Sequence, residues 1–532
     1  MDLPAETFSA AEEARLAPHV TSLHAPVFAL VNLPETVKGA LFARYSRHPG
    51  TLRRLFLDEF ADSLPELPPF EGDEGERAAK LYDTIFLGYG DDSVAQLGAA
   101  HVACEWVSNV LTKILQRPRI GVAYLEQSTR YIAYDAPMDD AGAPIRYRYY
   151  RDPELGEDYT GAMDALFATY ADALPRVQAW AAQMWPATQR ESPAAHARAV
   201  RAKALDLLRG LLPAASLSHM GMLATGQAYE ALILHLLAHP LPEARRCGRL
   251  MLDAVKAVMP SFVTRIERPD RGGEWITYLQ DREEAARSWV ARLGLDRDDA
   301  EDGGASVRLV HVDGDEEALL ASLMFEASHR SEDAVRATIA ELDDDARGTL
   351  LGDLVGERAN RRHRPGRGLE ALRYRFEIVA DYGAFRDLQR HRMLTVQWQS
   401  LTPDLGAEVP EELDAVGVGD AYRAGLHRSA EAYEQLRGRG LGHAAPYALC
   451  LGYRIRFVLD MNAREAMQLI ELRSGREGHP SYRAVAHAMH EHIARVHPAV
   501  AAAMRHVDRT TEPRLERMLG ELRTQAKLDA HA

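Results

Sequence analysis

The chain has 532 residues, and 63 Lys and Arg against 78 Asp and Glu leave a formal net charge of −15 at pH 7. With 46% hydrophobic and 27% charged residues, its composition is globular and excludes a mostly disordered chain. The acid excess excludes a dedicated non-specific DNA or RNA binder, because neutralising phosphates needs a net basic surface. A local basic pocket for one small phosphate is compatible with it.

At roughly 100–200 residues per domain the length allows two to four domains. Cys104, Cys247 and Cys450 lie far apart and form no CxxC pair, which excludes a disulfide framework and a cysteine-rich zinc site. That usage fits a reducing cytosol. Met1-Asp2-Leu3-Pro4-Ala5-Glu6 has no basic region leading into an apolar one, so no signal peptide is expected. The best apolar run, Ala231 to Leu241, is short and broken by His235, His239 and Pro240. The expectation is a soluble, cytoplasmic protein with neither a membrane nor a nucleic acid as partner.

In chain order, Val27-Phe28-Ala29-Leu30-Val31 reads as a strand, followed after Leu33-Pro34 by helical periodicity. A helical stretch is predicted from near Gln96 to Arg117-Pro118-Arg119. Ala136 to Tyr159, rich in Pro, Asp and Tyr, reads as an inserted excursion. Leu211-Leu212-Pro213 then precedes an apolar helix, Tyr229 to Leu237. The stretch 268–304, ending in Asp296-Arg297-Asp298-Asp299-Ala300-Glu301-Asp302-Gly303-Gly304, reads as a solvated linker.

The plan then repeats. Val307 to Val312 reads as a strand, and a helical stretch is predicted from near Glu370 to Arg390-His391-Arg392. Ala444-Ala445-Pro446 precedes a helix, Arg464 to Arg473, and Met259-Pro260 and His497-Pro498 close the two halves alike. The fold class read from this is α+β, helix-rich, as two tandem and diverged α/β units forming a pseudo-dimer. The units are assigned to 1–267 and 305–532. No GxGxxG and no GxxxxGK[ST] appears.

Arg390-His391-Arg392 places three basic side chains at a helix end. They either complement the helix macrodipole or splay around a bound anion, for which Arg offers bidentate donors. Asn462 and Arg473 are 11 residues apart, about three helical turns, so they share one face beside apolar Met467, Leu469, Ile470 and Leu472. Such a stripe suits a pocket wall, or a helix with surface arginines. His487, His490, His492 and His497 lack the His-Glu-x-x-His order and read as part of an amphipathic helix, with no metal expected.

Arg390-His391-Arg392, seven residues and then Ser400 resembles the signature of flavin-dependent thymidylate synthases of the ThyX type. Asn462-Ala463-Arg464, with Arg473 closing the helix, resembles that family's second cluster, and Gln468 falls at a flavin-facing position. The second copy also departs from the pattern. Asp387 stands where the family often has a substrate-holding Gln, and Trp398 where it has Glu. Leu401-Thr402-Pro403 follows Ser400, and Gly442-His443-Ala444-Ala445-Pro446 lacks the family's Arg. Pro365-Gly366-Arg367 replaces its His-x-Ser/Thr.

The first copy keeps what the second lost. Glu126-Gln127-Ser128-Thr129-Arg130-Tyr131 resembles the family's Glu-x-Ser-x-Arg-Tyr, and Arg209-Gly210-Leu211-Leu212-Pro213 its Arg-x-x-Leu-Pro. Conversely Arg117-Pro118-Arg119 lacks the central His, and eight residues, not seven, separate Arg119 from Ser128. Gln227, Tyr229 and Ala238 are read as standing where Asn462, Arg464 and Arg473 stand. Asp91-Asp92-Ser93 preserves only the hydroxyl of His-x-Ser/Thr.

In the family resembled, each nucleotide site is shared between subunits, so a fused pair needs one whole site, and the losses here are complementary. The resemblance implies reductive methylation of dUMP to dTMP with FAD as redox carrier and methylenetetrahydrofolate and NADPH as cosubstrates. It implies one composite site, with Glu126, Ser128, Thr129, Arg130 and Arg209 from the first copy and Gln389, Arg390 and Arg473 from the second. Arg473 is assigned to the substrate ring. The flavin contacts implied are Ser93, Arg390, His391, Arg392, Asn462, Arg464 and Gln468. The assembly implied is a homodimer of pseudo-dimers. The alternative is a non-catalytic flavin- or nucleotide-binding homologue, or a flavoenzyme acting on another pyrimidine-like substrate.

Overall fold

The computed structural model describes residues 6–72, 92–136, 147–189, 191–296, 304–510, 515–518 and 520–523, with positions 77, 80, 82, 84 and 526. The described residues are helix-rich and carry two separate four-stranded antiparallel sheets, so the α+β class holds. The first sheet joins β1 (Val27–Leu30), β2 (Ala99–Ser108), β3 (Val122–Glu126) and β4 (Leu217–Thr225) in the order β1-β2-β4-β3. The second joins β5 (Ser306–Asp313), β6 (Arg373–Asp381), β7 (Leu394–Trp398) and β8 (Arg454–Asn462) in the order β5-β6-β8-β7. One topology thus occurs twice in tandem.

The chain forms two compact units, each assembled from separated segments. One consists of Met1–Ala171, Leu212–Asp299 and His427–Leu449, and holds the first sheet. The other consists of Asp172–Leu211, Ala300–Leu426 and Cys450–Ala532, and holds the second. Each therefore takes in a segment from the far side of the chain.

The two helical stretches expected to open near Gln96 and Glu370 are mostly strand. β2 and β6 occupy their first parts, and only Asn109–Leu115 and Tyr382–Leu388 are helical. The cause is visible in β6. Tyr374, Phe376 and Ile378 alternate with Arg373, Arg375 and Glu377, and the apolar set is buried, which is the period of a strand rather than a helix. The helix Pro480–Val496 packs on β5 and β6 through this face.

Both strand ends carry a capping residue. Ser108 accepts from the Leu111 amide at 3.0 Å, and Asp381 from the Ala384 amide at 2.9 Å, each starting the short helix that follows. Thr225 and Asn462 do the same for the helices Gly226–Ala238 and Ala463–Arg473. These caps, with the pairings Ala99↔Thr225 and Arg373↔Asn462, fix the correspondence between copies. The positions matching Asn462, Arg464 and Arg473 are Thr225, Gln227 and Leu236, two residues before those read from the sequence. Tyr229 is instead a fully buried core residue.

β2 has ten residues and β6 nine. The register of β2 on β4 shifts between Cys104 and Val107, where Trp106 adopts a φ of 57°. Such a bulge costs backbone strain unless its surroundings hold it. Here the Trp106 amide donates to His219 Nδ1 at 3.2 Å, and the buried Arg148 guanidinium lies 5.1 Å from the indole.

The stretch 268–304 contains a helix, Glu274–Arg292, with no buried residue, while 297–303 lie outside the described residues. Of the inserted stretch 136–159, residues 137–146 lie outside them. No described helix is long and apolar enough to cross a membrane. The three cysteines are buried and free. A hydrogen bond to Cys104, then burial, pushes the Cys247 thiol well up, so it stays protonated and a poor nucleophile.

Candidate functional site

The second unit gathers charge where β6 runs into the helix Tyr382–Leu388. Arg209, Asp381 and Asp387 are all buried there, at 3%, 5% and 8% exposure. Arg209 Nη1 donates to Asp387 Oδ2 at 3.2 Å, and its Nη2 lies 3.6 Å from Asp381 Oδ1. The other oxygen of Asp387 accepts from Arg390 Nη2. One carboxylate is therefore shared by an arginine of each sequence copy. Asp381 also accepts from the Ser481 hydroxyl. Burial pushes its carboxyl up, and the Arg209 charge pulls it back down. Arg209 and Asp381 also line a cavity of about 510 Å3 with Tyr422, His479 and Ser481.

The sequence offered Asp387 only as a departure from a pattern. Its position six residues after the cap Asp381, with Arg390 three residues on, is the signal that it pairs with arginine rather than facing solvent. Asp381 itself was legible as a cap, an Asp directly before a helix.

The first copy has a related pair with the roles exchanged. Ser108, matching Asp381, donates its hydroxyl to Glu243 at 2.6 Å, and Glu243 stands one residue after the Pro that opens its helix, as Ser481 does. The hydroxyl and the carboxylate have changed sides while the hydrogen bond is kept.

The Arg-His-Arg segment follows directly. Gln389 is the C-cap of the short helix and is buried, Arg390 is half-buried, and Arg392 is exposed. Arg390 Nε is buried without a hydrogen-bond partner among the described residues. His391 is buried between two groups of the helix Ala463–Arg473: Glu465 Oε1 lies 3.0 Å from its Nδ1, and Arg473 Nε donates to its Nε2 at 3.0 Å. Burial lowers the His391 pKa, opposed by Glu465 and assisted by Arg473. The Arg473 guanidinium lies 5.4 Å from the Tyr482 ring centre, and burial and the nearby Arg390 disfavour its charge. An anion would relieve that field.

On the same helix Asn462 serves as N-cap, accepting from the Glu465 amide at 2.9 Å. Arg464 Nε donates to the Pro365 carbonyl at 3.0 Å, and its Nη1 lies 3.4 Å from Glu370. Gln468 is half-buried. The structure brings Arg209, Gln389, Arg390, His391 and Arg473 into one unit together with Asn462, Arg464 and Gln468. Glu465 is the group that sequence reasoning missed. It is three residues after the cap, where a helix start favours an acid, and that signal says nothing about His391.

In the first unit, Glu126 ends β3 and is buried. Its Oε2 accepts from Lys113 Nζ at 2.9 Å and from Gln116 Nε2 at 3.0 Å. Gln127 is held by the His48 carbonyl and by Arg148 Nη2 at 3.0 Å. Ser128 Oγ then accepts from the Arg130 amide at 3.2 Å, turning the chain so that Thr129 is buried and Arg130 half-buried. Ser93 lies in the turn Asp92–Gln96, and its side chain is outside the described residues.

The histidine run is spoken for. His487, His490 and His492 each place Nε2 on a backbone carbonyl, of Asp508, Ala501 and Val307, and His497 Nδ1 lies 3.1 Å from the Tyr374 hydroxyl. Among the described residues no three His, Cys, Asp or Glu side chains converge as a metal site.

The sequence profile of one family, thymidylate synthase complementing protein, matches residues 48–261 and again 308–499. The chain belongs to that family, and carries its unit twice. It is 36% identical over 533 residues to a UPF0159 protein of Chlamydia muridarum, covering 98% of this chain and 99% of that one. It is 30% identical over 524 residues to a UPF0159 protein of Thermoplasma acidophilum, covering 92% and 99%. Among solved structures, a UMP/dUMP methylase, PolB from Streptomyces cacaoi, aligns at 18% identity and a TM-score of 0.31, over 40% of this chain and 98% of that one. That likeness is too slight to bear on the chemistry here.

Proposed function

We propose that the protein is a flavin-dependent thymidylate synthase that methylates dUMP reductively to dTMP, with one composite nucleotide site per chain. The carrying observation is the sharing of Asp387 by Arg209 and Arg390. An arginine of the first sequence copy and one of the second meet in a single unit, as complementary loss requires. Family membership supports the same reading.

In this reading Arg209, Arg390 and Arg473, all of the second unit, hold the nucleotide. Asp387 is the resident anion that the substrate displaces from Arg390. Arg473 stabilises the negative charge that builds on the uracil ring as C5 becomes nucleophilic. FAD, when bound, supplies the hydride chemistry. His391, Arg392, Asn462, Arg464 and Gln468 would hold it. Methylenetetrahydrofolate is the one-carbon donor, NADPH the reductant, and the setting cytoplasmic, as a homodimer.

Asp387 also favours a second reading. A carboxylate accepts hydrogen bonds but cannot donate, so replacing an amide with it suits a ring edge that presents donors, such as the amino group of a cytosine-type base. The experiment is tritium release from 5-tritiated dUMP and, in parallel, dCMP, using protein reconstituted with FAD, methylenetetrahydrofolate and NADPH. Release from dUMP with dTMP formed supports the first reading. Release from dCMP alone establishes the second, and a colourless protein that binds no flavin overturns both.

A further inference from the structure

We propose that Glu465 is a positioning residue: it fixes the tautomer of His391, and through it the place of Arg473. The inference rests on the nucleotide-site reading of Arg473 and deepens it. Three side chains stand in a line. The Glu465 carboxylate meets His391 Nδ1 at 3.0 Å, and Arg473 Nε meets His391 Nε2 at 3.0 Å.

The hydrogen-bond inventory allows one arrangement. A guanidinium has only donors, so Nε2 must accept and carry no proton. The imidazole proton then sits on Nδ1, where a Glu465 carboxyl oxygen accepts it. His391 and Glu465 are 7% and 5% exposed, so water does not compete for either group. Were the ring to take the other tautomer, Nε2–H would face Arg473 Nε–H, and Nδ1 would face a carboxylate with no proton between them. Both contacts would turn repulsive, and Arg473 would leave its seat.

The surroundings reinforce this. The charged groups that act on the ring are Glu465, Arg473 and Arg390. Protonating the ring would add a cation beside two arginines, and burial disfavours it further. The neutral, Nδ1-protonated ring is thus the resting state. Glu465 itself is held from the backbone side, because the Asn462 side chain accepts from its amide at 2.9 Å. That bond survives any change of the Glu465 side chain.

Arg473 therefore presents its Nε edge to His391, with the Tyr482 hydroxyl as a second partner. A preoriented cation loses less conformational freedom when the ring charge develops, which is a transition-state effect rather than a binding one. Glu465 touches neither cofactor nor substrate in this scheme. Its effect is on kcat.

The test is 15N NMR of histidine-labelled holoenzyme without substrate, with the His391 signal assigned through His391→Gln, alongside steady-state kinetics. In the wild type Nδ1 should be protonated and Nε2 bare from pH 6 to 8. Glu465→Leu should mix the tautomers and lower kcat about ten- to hundred-fold with KM changed less than threefold. Glu465→Gln, whose amide oxygen still accepts from Nδ1–H, should keep the tautomer and recover most of that loss, with the acid limb of the kcat profile moved to lower pH. A wild-type ring protonated on Nε2, or an unchanged tautomer in Glu465→Leu, overturns the proposal. The NMR arm needs no turnover, so an inactive wild type would count against the reaction assignment and leave this inference standing.

Discussion

Arg209 and Asp387 form a buried ion pair at 3.2 Å although they are 178 residues apart in the chain. The same guanidinium also faces Asp381. Removing Arg209 leaves Asp381 buried without its counterion and Asp387 with Arg390 alone.

Arg209→Ala is accordingly expected to destabilise the protein by ~3–5 kcal/mol in urea unfolding. Arg209→Lys should recover only part of this, because an ammonium cannot meet both carboxylates in a planar fork. Equal stability of Arg209→Ala and wild type would refute the shared-counterion role.

Arg473→Ala should lower kcat by about 10²–10³ while the bound flavin keeps its visible absorbance spectrum. Loss of colour in this variant would instead assign Arg473 to the cofactor.

Gly210 leaves no room for a side chain, since a Cβ there would lie 2.1 Å from the Tyr422 hydroxyl oxygen. Gly210→Ala should cost about 1–3 kcal/mol. Tyr422→Phe removes the clashing atom, so the double variant should be more stable than the sum of the single changes implies. Strict additivity would show that the clash is relieved elsewhere.

Stability should fall with acid. Burial, then Arg117, lowers the His239 pKa from its ordinary 6.5 to about 4. Between those values the unfolded chain binds a proton that the folded ring refuses. The contribution of the neutral ring is thus complete above pH 6.5 and is lost as pH falls towards 4, amounting to ~3 kcal/mol over the window. His239→Asn should flatten that part of the stability profile measured by urea unfolding at several pH values. An unchanged slope would mean that the ring is not the titrating group.

Much of this architecture was legible. The strands at Val27 and Val307, the helix closing at Arg473 and the doubled plan follow from periodicity and spacing. The capped helix starts explain where the reading slipped. β6 carries two arginines and a glutamate on its open face, and such residues also suit helices, which masks the strand period of its apolar set. The two-residue offset at Thr225 arose because the diverged copy caps with Thr where the other uses Asn, and nothing but the strand register ties those positions together. The site was legible as a set of arginines and illegible as a circuit. Asp387, Glu465 and Lys113 are counterions, and a counterion is defined by what folds against it.

The exchanged segments bear on how the protein is made. As the chain leaves the ribosome, Asp172–Leu211 emerges before any strand of the sheet it belongs with, and the first unit waits for His427–Leu449. Only then can Tyr447 give its hydroxyl to Glu243 at 2.6 Å, and the Leu449 carbonyl accept from the Ala214 amide at 2.7 Å. Contacts so distant in sequence close slowly. A polypeptide cut between the two copies would yield two fragments, each lacking a segment of the compact unit that holds its sheet, so the covalent join supplies each half with part of its own body.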